Sequence, residues 1–368
     1  MYSRQTAQRN SDRLLGAEDG VLGDAAKADL VRATKNLFGV YDKKLILHIG
    51  QPKTGTTSIQ RFCLNHRDHL LRQGVLYPDA GRHGPGQQHF APRFLVSYGY
   101  KLPNHPYSVE SFKNSCTALA REIDKYNDRI DTILISSEEL SALPSSAVVF
   151  LSDIFSDVFD VSILLYLRRQ DAMIESMCAQ DRLTRRVNSP FYPESLSTGH
   201  GLLDLQQQTS HWHNTFRCKS FHIEIYERNS QVSSLEEEFL ASIGLSPPHQ
   251  REEKKRLNKK LSRAASEYLY THSNVVYESQ QYFDLVAKLD RYSRLSPTPP
   301  EYRYYHAPET RIKLLNEKRE SNQNIAVKYF NRRELFNDPW PQPTEPWVEY
   351  PGLSVTDKSD IELFLRTE

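Results

Sequence analysis

The 368-residue sequence has few cysteines, no long hydrophobic run and almost no net charge. Its four cysteines, Cys63, Cys116, Cys178 and Cys218, are widely scattered, a spacing that fits neither a zinc motif nor a dense disulfide framework. No run of 18 apolar residues occurs, so a membrane-spanning helix is not expected. Arg4, Arg9, Asp12, Arg13, Glu18 and Asp19 interrupt the first 40 residues, which leaves no basic segment followed by an apolar core and therefore no readable signal peptide. Thiols without such a signal point to a reducing compartment. The expected address is the cytoplasm, with peripheral membrane attachment left open. The 47 Lys and Arg nearly cancel the 46 Asp and Glu, which argues against a broad basic face for nucleic acid. Clusters of His and carboxylate at metal-ligand spacing are also missing. His211 and His213 stand two apart on an expected helix, where they point to different faces and make poor joint ligands for a metal.

What is present describes a large globular chain. Residues AVILMFWYC make up 38% and charged residues 25%, a little under the apolar average of roughly 45–50% that is counted with glycine. Short apolar runs at Lys44–Ile49, Val75–Tyr77, Thr132–Ile135, Val161–Leu167 and Phe221–Tyr226 read as strands. Helical patterns at 13–38, 57–72, 111–126, 171–186 and 203–215 precede or separate most of them. Buried strands alternating with helices predict an α/β fold: a P-loop-like three-layer sandwich with a central, mostly parallel sheet and a helical C-terminal elaboration. The composition shifts at Ser246-Pro-Pro248, after which a charged segment leads into a helix carrying Leu257, Leu261, Ala265 and Leu269 in register. Residues 295–310 read as irregular, 310–331 as helical and 336 onward as loop. The expected organisation is an N-terminal helical extension over 1–40, a core over 41–245 and an elaboration of the same domain over 246–368.

The segment His48-Ile-Gly-Gln-Pro-Lys-Thr-Gly-Thr-Thr-Ser58 carries the chemistry. An apolar strand enters a glycine-containing loop that opens a helix, so backbone N–H groups and the positive end of the helix dipole converge on an anion site. Thr56, Thr57 and Ser58 add hydroxyls there and Lys53 adds a charge. The nucleotide-triphosphatase pattern places its lysine after the second glycine, beside a magnesium-binding hydroxyl. Gly50 and Gly55 keep that spacing, but position 56 is Thr and the lysine lies inside the loop. A P-loop kinase or NTPase would therefore lack its key residue.

Pro52-Lys-Thr-Gly-Thr-Thr-Ser58 resembles the 5′-phosphosulfate-binding loop of sulfotransferases that use 3′-phosphoadenosine 5′-phosphosulfate (PAPS). Ser58-Ile-Gln60 and Gly74-Val-Leu-Tyr-Pro78 are similar to the bacterial carbohydrate-type members of that family. The resemblance implies that Lys53, Thr54, Gly55, Thr56, Thr57 and Ser58 hold the 5′ end of the nucleotide. It further implies an arginine at a strand end and a serine eight residues later for the 3′-phosphate, a spacing matched by Arg168 and Ser176. Arg169 would substitute if the register slipped by one. A guanidinium forks onto phosphate oxygens and a helix-borne hydroxyl adds a bond. Arg256-Leu-Asn-Lys-Lys-Leu-Ser262 resembles the family's loop before a C-terminal helix, which brings Arg256 or Asn258 near the nucleotide; a solvated helix start accounts for it equally well. Glu320-Ser-Asn-Gln-Asn-Ile-Ala326 resembles the family's final helix, where packing is the expected role.

The implied activity moves a sulfuryl group from PAPS to a hydroxyl, on a carbohydrate or glycolipid, leaving 3′-phosphoadenosine 5′-phosphate and needing no metal. Lys53 would neutralise the bridging oxygen, and catalysis would be mostly positioning and electrostatics. The acceptor hydroxyl needs a base within hydrogen-bond reach. His89, in the loop Gly84-Pro-Gly-Gln-Gln-His89, lies where several carbohydrate sulfotransferases place theirs. Glu138 follows the strand that ends in Ser137 and departs from the histidine of cytosolic relatives; His83 is a third candidate. Arg82, Arg182, Arg185 and Arg186 are candidates for the acceptor side, although surface charge explains each of them as well. The rival classes are a P-loop kinase or NTPase and a catalytically inert nucleotide-binding module.

Overall fold

A computed structural model describes residues 22–39, 41–95, 107–184, 189–227, 234–248 and 261–368. Strand β1, Lys44–Gly50, is exposed only at Lys44 and buried throughout the rest of its length. A strand covered on both faces has no polar side to present, which is why Leu45-Ile46-Leu47 is an unbroken apolar run. The other strands are β2 (Val75–Leu76), β3 (Thr132–Ser136), β4 (Asp160–Arg168) and β5 (Ser220–Tyr226). They form one all-parallel sheet in the order β2-β3-β1-β4-β5. Leu45 pairs with Ile133 on one side and Val161 on the other, so three apolar strands stand side by side at the centre.

Among the described residues, eight helices accompany or interrupt this sheet along the chain: α1 (Asp24–Phe38), α2 (Thr56–Asn65), α3 (Arg67–Arg72), α4 (Val109–Tyr126), α5 (Ser145–Phe155), α6 (Gln170–Leu183), α7 (Leu205–Thr215) and α8 (Leu235–Ser242). Even-numbered sheet residues Ile46, Leu134, Leu164 and Tyr166 join Ile59 and Cys63 of α2 and Phe239 and Leu240 of α8 in one cluster. The chain moves one way from β1 to β2 and the opposite way from β2 to β3 and from β3 to β4. Right-handed crossovers therefore put α4 and α5 on the face opposite α2. There α1 packs on α4 and α5, and α7 packs on α5. Phe38 meets Phe155 and Phe159 ring to ring in that layer.

The chain divides into two compact units. The first takes in the described residues up to Leu167, those of Leu205–Gln250, and Lys328–Phe330. The second combines residues of Arg168–Asp204, Arg251–Val327 and Asn331–Glu368. Its helices, besides α6, are α9 (Arg263–His272), α10 (Gln280–Leu295), α11 (Pro308–Glu317), most of α12 (Arg319–Phe330) and α13 (Val355–Thr367). One of its clusters gathers Met173, Met177, Phe191 and Leu314, and another gathers Leu269, Tyr282, Leu289 and Ile361.

Three expectations need correcting. The helix expected over 57–72 is two helices, because His66 leaves helical dihedrals (φ −111°, ψ 25°) while its ring nitrogen meets the Phe62 carbonyl. The helical stretch over 310–331 is likewise divided, at Lys318. The tail beyond 336 is not all loop: α13 occupies Val355–Thr367, started by Ser354, whose hydroxyl accepts from the Asp357 amide. The Ser-x-x-Asp capping pattern was the available signal. Residues 13–21 of the expected N-terminal helix lie outside the described residues.

Candidate functional site

Strand β1 ends at Gly50 and helix α2 begins at Thr56, so the loop between them leaves the carboxyl edge of the central strand. The chain turns toward β2 after β1 and toward β5 after β4, and ligands of open α/β sheets lodge at such a reversal. Two residues of this loop adopt left-handed dihedrals: Lys53 at φ 70° and Gly55 at φ 80°. Glycine takes that conformation freely, whereas a lysine is held there at a cost of about 1–2 kcal/mol. At Gly55 a Cβ would also stand 2.3 Å from Leu235 Cδ2. Gly50 is required by close approach, since a Cβ there would come 2.2 Å from Thr56 Oγ1 and 2.9 Å from Thr54 Oγ1.

The buried hydroxyls brace the loop. Thr54 Oγ1 donates to the Gln51 carbonyl at 2.7 Å. Its single proton is thereby used, so the 3.2 Å contact between Thr54 and Thr56 has Thr56 donating. Gln51 is fixed from two directions: its amide donates to the Tyr166 carbonyl of β4, and its side chain donates to Gln208 Oε1 of α7 at 2.7 Å. Thr57 is exposed and Ser58 half-buried at the start of α2, and the capping position, Gly55, supplies no side-chain hydrogen bond. First-turn amides with no capping side chain form a concentrated positive end that suits an anion.

Glu138 stands against this loop. It opens the short turn Glu138–Ala142 directly after Ser137. Burial raises its carboxyl pKa above the ordinary 4.5, and the Lys53 ammonium pulls it back down. The turn Gln88–Phe90, which carries His89, packs on the Glu138 turn. Ser136, the last residue of β3, ties these pieces together: its amide donates to Gln87 Oε1, and its carbonyl accepts from the Gln87 amide and from Gln60 Nε2 of α2 at 3.2 Å. Ser137 donates to the Gln88 side chain. His89 meets the His83 ring edge-on at 5.9 Å and the Tyr107 ring at 5.6 Å. His83 itself is exposed. The fold thus brings Lys53, Glu138 and the His89 turn to one end of the sheet. Sequence reasoning gave Gln87 and Ser136 no role and Gln60 only a place in the resemblance, because a single buried polar residue has no periodic signature.

Beneath the loop lies His48 of β1, fully buried, with Nδ1 2.8 Å from Ser136 Oγ. Its ring packs edge-on to Tyr166 and against Phe239, and its Nε2 meets no partner. Burial drives its pKa down to about 3, so the ring is neutral. It supports the floor of the loop and carries no charge into it.

Arg168 is buried at the end of β4 and Ser176 is half-buried on α6. Both belong to the second unit. Arg169 has a different occupation: its guanidinium holds Asp171 through two hydrogen bonds, at 2.7 and 3.0 Å, and donates to the carbonyls of Asp338 and Pro339. It is committed to holding the second unit together. Arg82 pairs with Asp79 at 3.4 Å, and Arg182 pairs with Glu267 at 3.3 Å. Arg185, Arg186, Arg256 and Asn258 lie outside the described residues. His211 and His213 part as expected, toward Ser145 and the Phe221 ring respectively. Among the described residues no three His, Cys, Asp or Glu side chains are grouped so as to hold a metal ion.

No protein-family model matches the chain, and no solved structure matches it. An uncharacterized protein of Archaeoglobus fulgidus is 25% identical over 209 residues, which cover 55% of this chain and 55% of that protein. The chain thus spans about half the length of this curated relative. No described helix is long and apolar enough to cross a membrane.

Proposed function

We propose that the protein transfers a sulfuryl group from PAPS to a hydroxyl of a carbohydrate or glycolipid. The observation that carries this reading is the pairing of a strained, charged βα loop with a half-buried carboxyl: Lys53 at φ 70°, acting on Glu138. Backbone strain in a charged residue is held where function requires it. The first-turn amides of α2 and the Lys53 ammonium suit the 5′ end of the nucleotide, where charge develops as the bond breaks.

In the reaction the acceptor oxygen attacks sulfur, the bond from sulfur to the bridging phosphate oxygen breaks, and that oxygen leaves with the electron pair. The acceptor proton passes to the Glu138 carboxylate, so the products are a sulfate ester, 3′-phosphoadenosine 5′-phosphate and a proton. Glu138 is preferred to His89 as the base because it is the group on which Lys53 acts, and a raised carboxyl pKa is nearer to neutral operating conditions. The His89 turn then supports Glu138 and borders the acceptor side. Arg168 and Ser176 keep their assignment to the 3′-phosphate on the strength of their order in the chain.

The test is transfer of labelled sulfate from PAPS to a panel of sugar and glycolipid hydroxyls, together with calorimetry of 3′-phosphoadenosine 5′-phosphate against ATP with magnesium. Saturable binding of the first nucleotide and labelled product are expected. Preferential binding of ATP with magnesium would overturn the reading, and nucleotide binding without transfer to any acceptor would leave an inert module.

A further inference from the structure

Among the described residues of the second unit, one arginine stands without an ion-pair partner. Arg263 begins α9, and its guanidinium carbon lies 3.5 Å from the Tyr305 ring centroid and 5.1 Å from that of Tyr350. Its Nε and Nη1 are buried and meet no hydrogen-bond acceptor. The carboxylate placed to serve it is Glu267, one helical turn along the same face of α9. Glu267 pairs instead with Arg182, at 3.3 Å. Arg182 in turn stacks over Tyr192 and Tyr270, and its own Nε is buried without a partner. The Tyr350 hydroxyl is a further buried group with none. Buried donors without acceptors are rare, and a buried charge left uncompensated is a liability for folding. Several such donors, carried by residues that are half-buried as wholes, are those of a site whose ligand is an anion.

We infer that Arg263, with Arg182 and Tyr350, binds an oxyanion, a carboxylate or sulfate group on a small ligand. The tyrosine faces hold the guanidinium of Arg263 flat, which leaves its N–H groups in the ring plane for oxygen acceptors. Aromatic stacking compensates part of the charge but accepts none of its N–H bonds. Glu267 neutralises Arg182 and keeps the cluster from carrying two free positive charges. The site belongs to the second unit alone and stands independently of the sulfuryl-transfer reading.

The experiment uses the full chain and its Lys53→Met variant, in which the βα loop has lost its ammonium. Binding of sodium sulfate, sodium glucuronate and uncharged glucose is followed at constant ionic strength by thermal shift and calorimetry. Sulfate and glucuronate should raise Tm saturably in the Lys53→Met chain, and glucose should not. A response to glucuronate alone would identify a sugar-borne carboxylate, and one to both an oxyanion in general. Adding Arg263→Met should weaken that binding at least tenfold while leaving the unliganded Tm equal to or above that of its parent. Arg263→Gln, closer in polarity, gives the same binding readout should the Met variant fail to fold. Anion binding indifferent to both substitutions, or no saturable response to either anion, would overturn the inference, since Arg263 would then serve packing alone.

Discussion

Lys53 acts on Glu138 against the effect of burial: desolvation raises the Glu138 pKa above 4.5 and the Lys53 ammonium lowers it. They come from separate parts of the chain, a left-handed loop after β1 and a short turn after β3. Parallel strands deliver both to the carboxyl edge of one sheet. Burial and the ammonium act on this carboxyl in opposite directions, with burial the larger, and the consequences can be measured.

Because the folded pKa of Glu138 is raised, its contribution to stability is complete below 4.5 and is lost as pH rises through the folded value. Glu138→Gln cannot ionise, so its Tm should gain on the wild type as pH rises from 4.5. Lys53→Met should move the folded Glu138 pKa still higher. Melting profiles that stay parallel at every pH would contradict both.

Turnover separates the candidate bases. Glu138→Gln should lower kcat by 10²-fold or more, the scale of a lost general base, with nucleotide affinity changed little. His89→Ala should cost less than Glu138→Gln, with its effect mainly on acceptor KM. If His89→Ala abolishes turnover while Glu138→Gln spares it, the assignment of the base reverses.

At position 53 strain and charge can be uncoupled. Lys53→Gly relieves about 1–2 kcal/mol of left-handed strain and adds about 0.5–1 kcal/mol of backbone entropy cost. Its stability should therefore match or slightly exceed the wild type, although binding of 3′-phosphoadenosine 5′-phosphate is lost. Chemical denaturation and calorimetry on the same preparation read the two effects. A Gly variant that still binds would remove Lys53 from the site.

Gly50→Ala adds a methyl group where Thr56 Oγ1 would be 2.2 Å away. Relieving that clash breaks the Thr54–Thr56 brace, at a cost of about 1–3 kcal/mol typical of overpacking. Denaturant unfolding should show the loss, and full stability would mean that the loop yields more easily than its hydrogen bonds suggest.

His48 supplies a pH signature of opposite sign. Its pKa falls from 6.5 to about 3 on burial, so its stabilising contribution is present above 6.5 and is lost as pH falls toward 3. At full slope this is about 1.4 kcal/mol per pH unit. His48→Gln, which retains a polar group for Ser136, should flatten the stability profile between pH 6 and 4 by about one proton. An unchanged slope would mean that another group titrates there.

The sequence by itself determined the central sheet and the loop. Leu45–Leu47 and Ile163–Leu167 are apolar at successive positions because both faces of those strands are covered, and a pattern so local survives without tertiary information. Gly50, Lys53 and Gly55 were visible for the same reason, as one strand–loop–helix in sequence order. Tertiary structure alone decided what stands around them. Glu138 is distant from Lys53 in sequence, and only the β3–β1 register brings the two strand ends together. Arg168 and Arg169 are indistinguishable as neighbours in a sequence. The fold separates them because Asp171 and two distant carbonyls claim the second. Arg182, which reads as surface charge in the sequence, is in fact stacked on tyrosines and partly buried, as is Arg263. A side chain's solvation depends on neighbours drawn from across the chain, and no sequence window contains them.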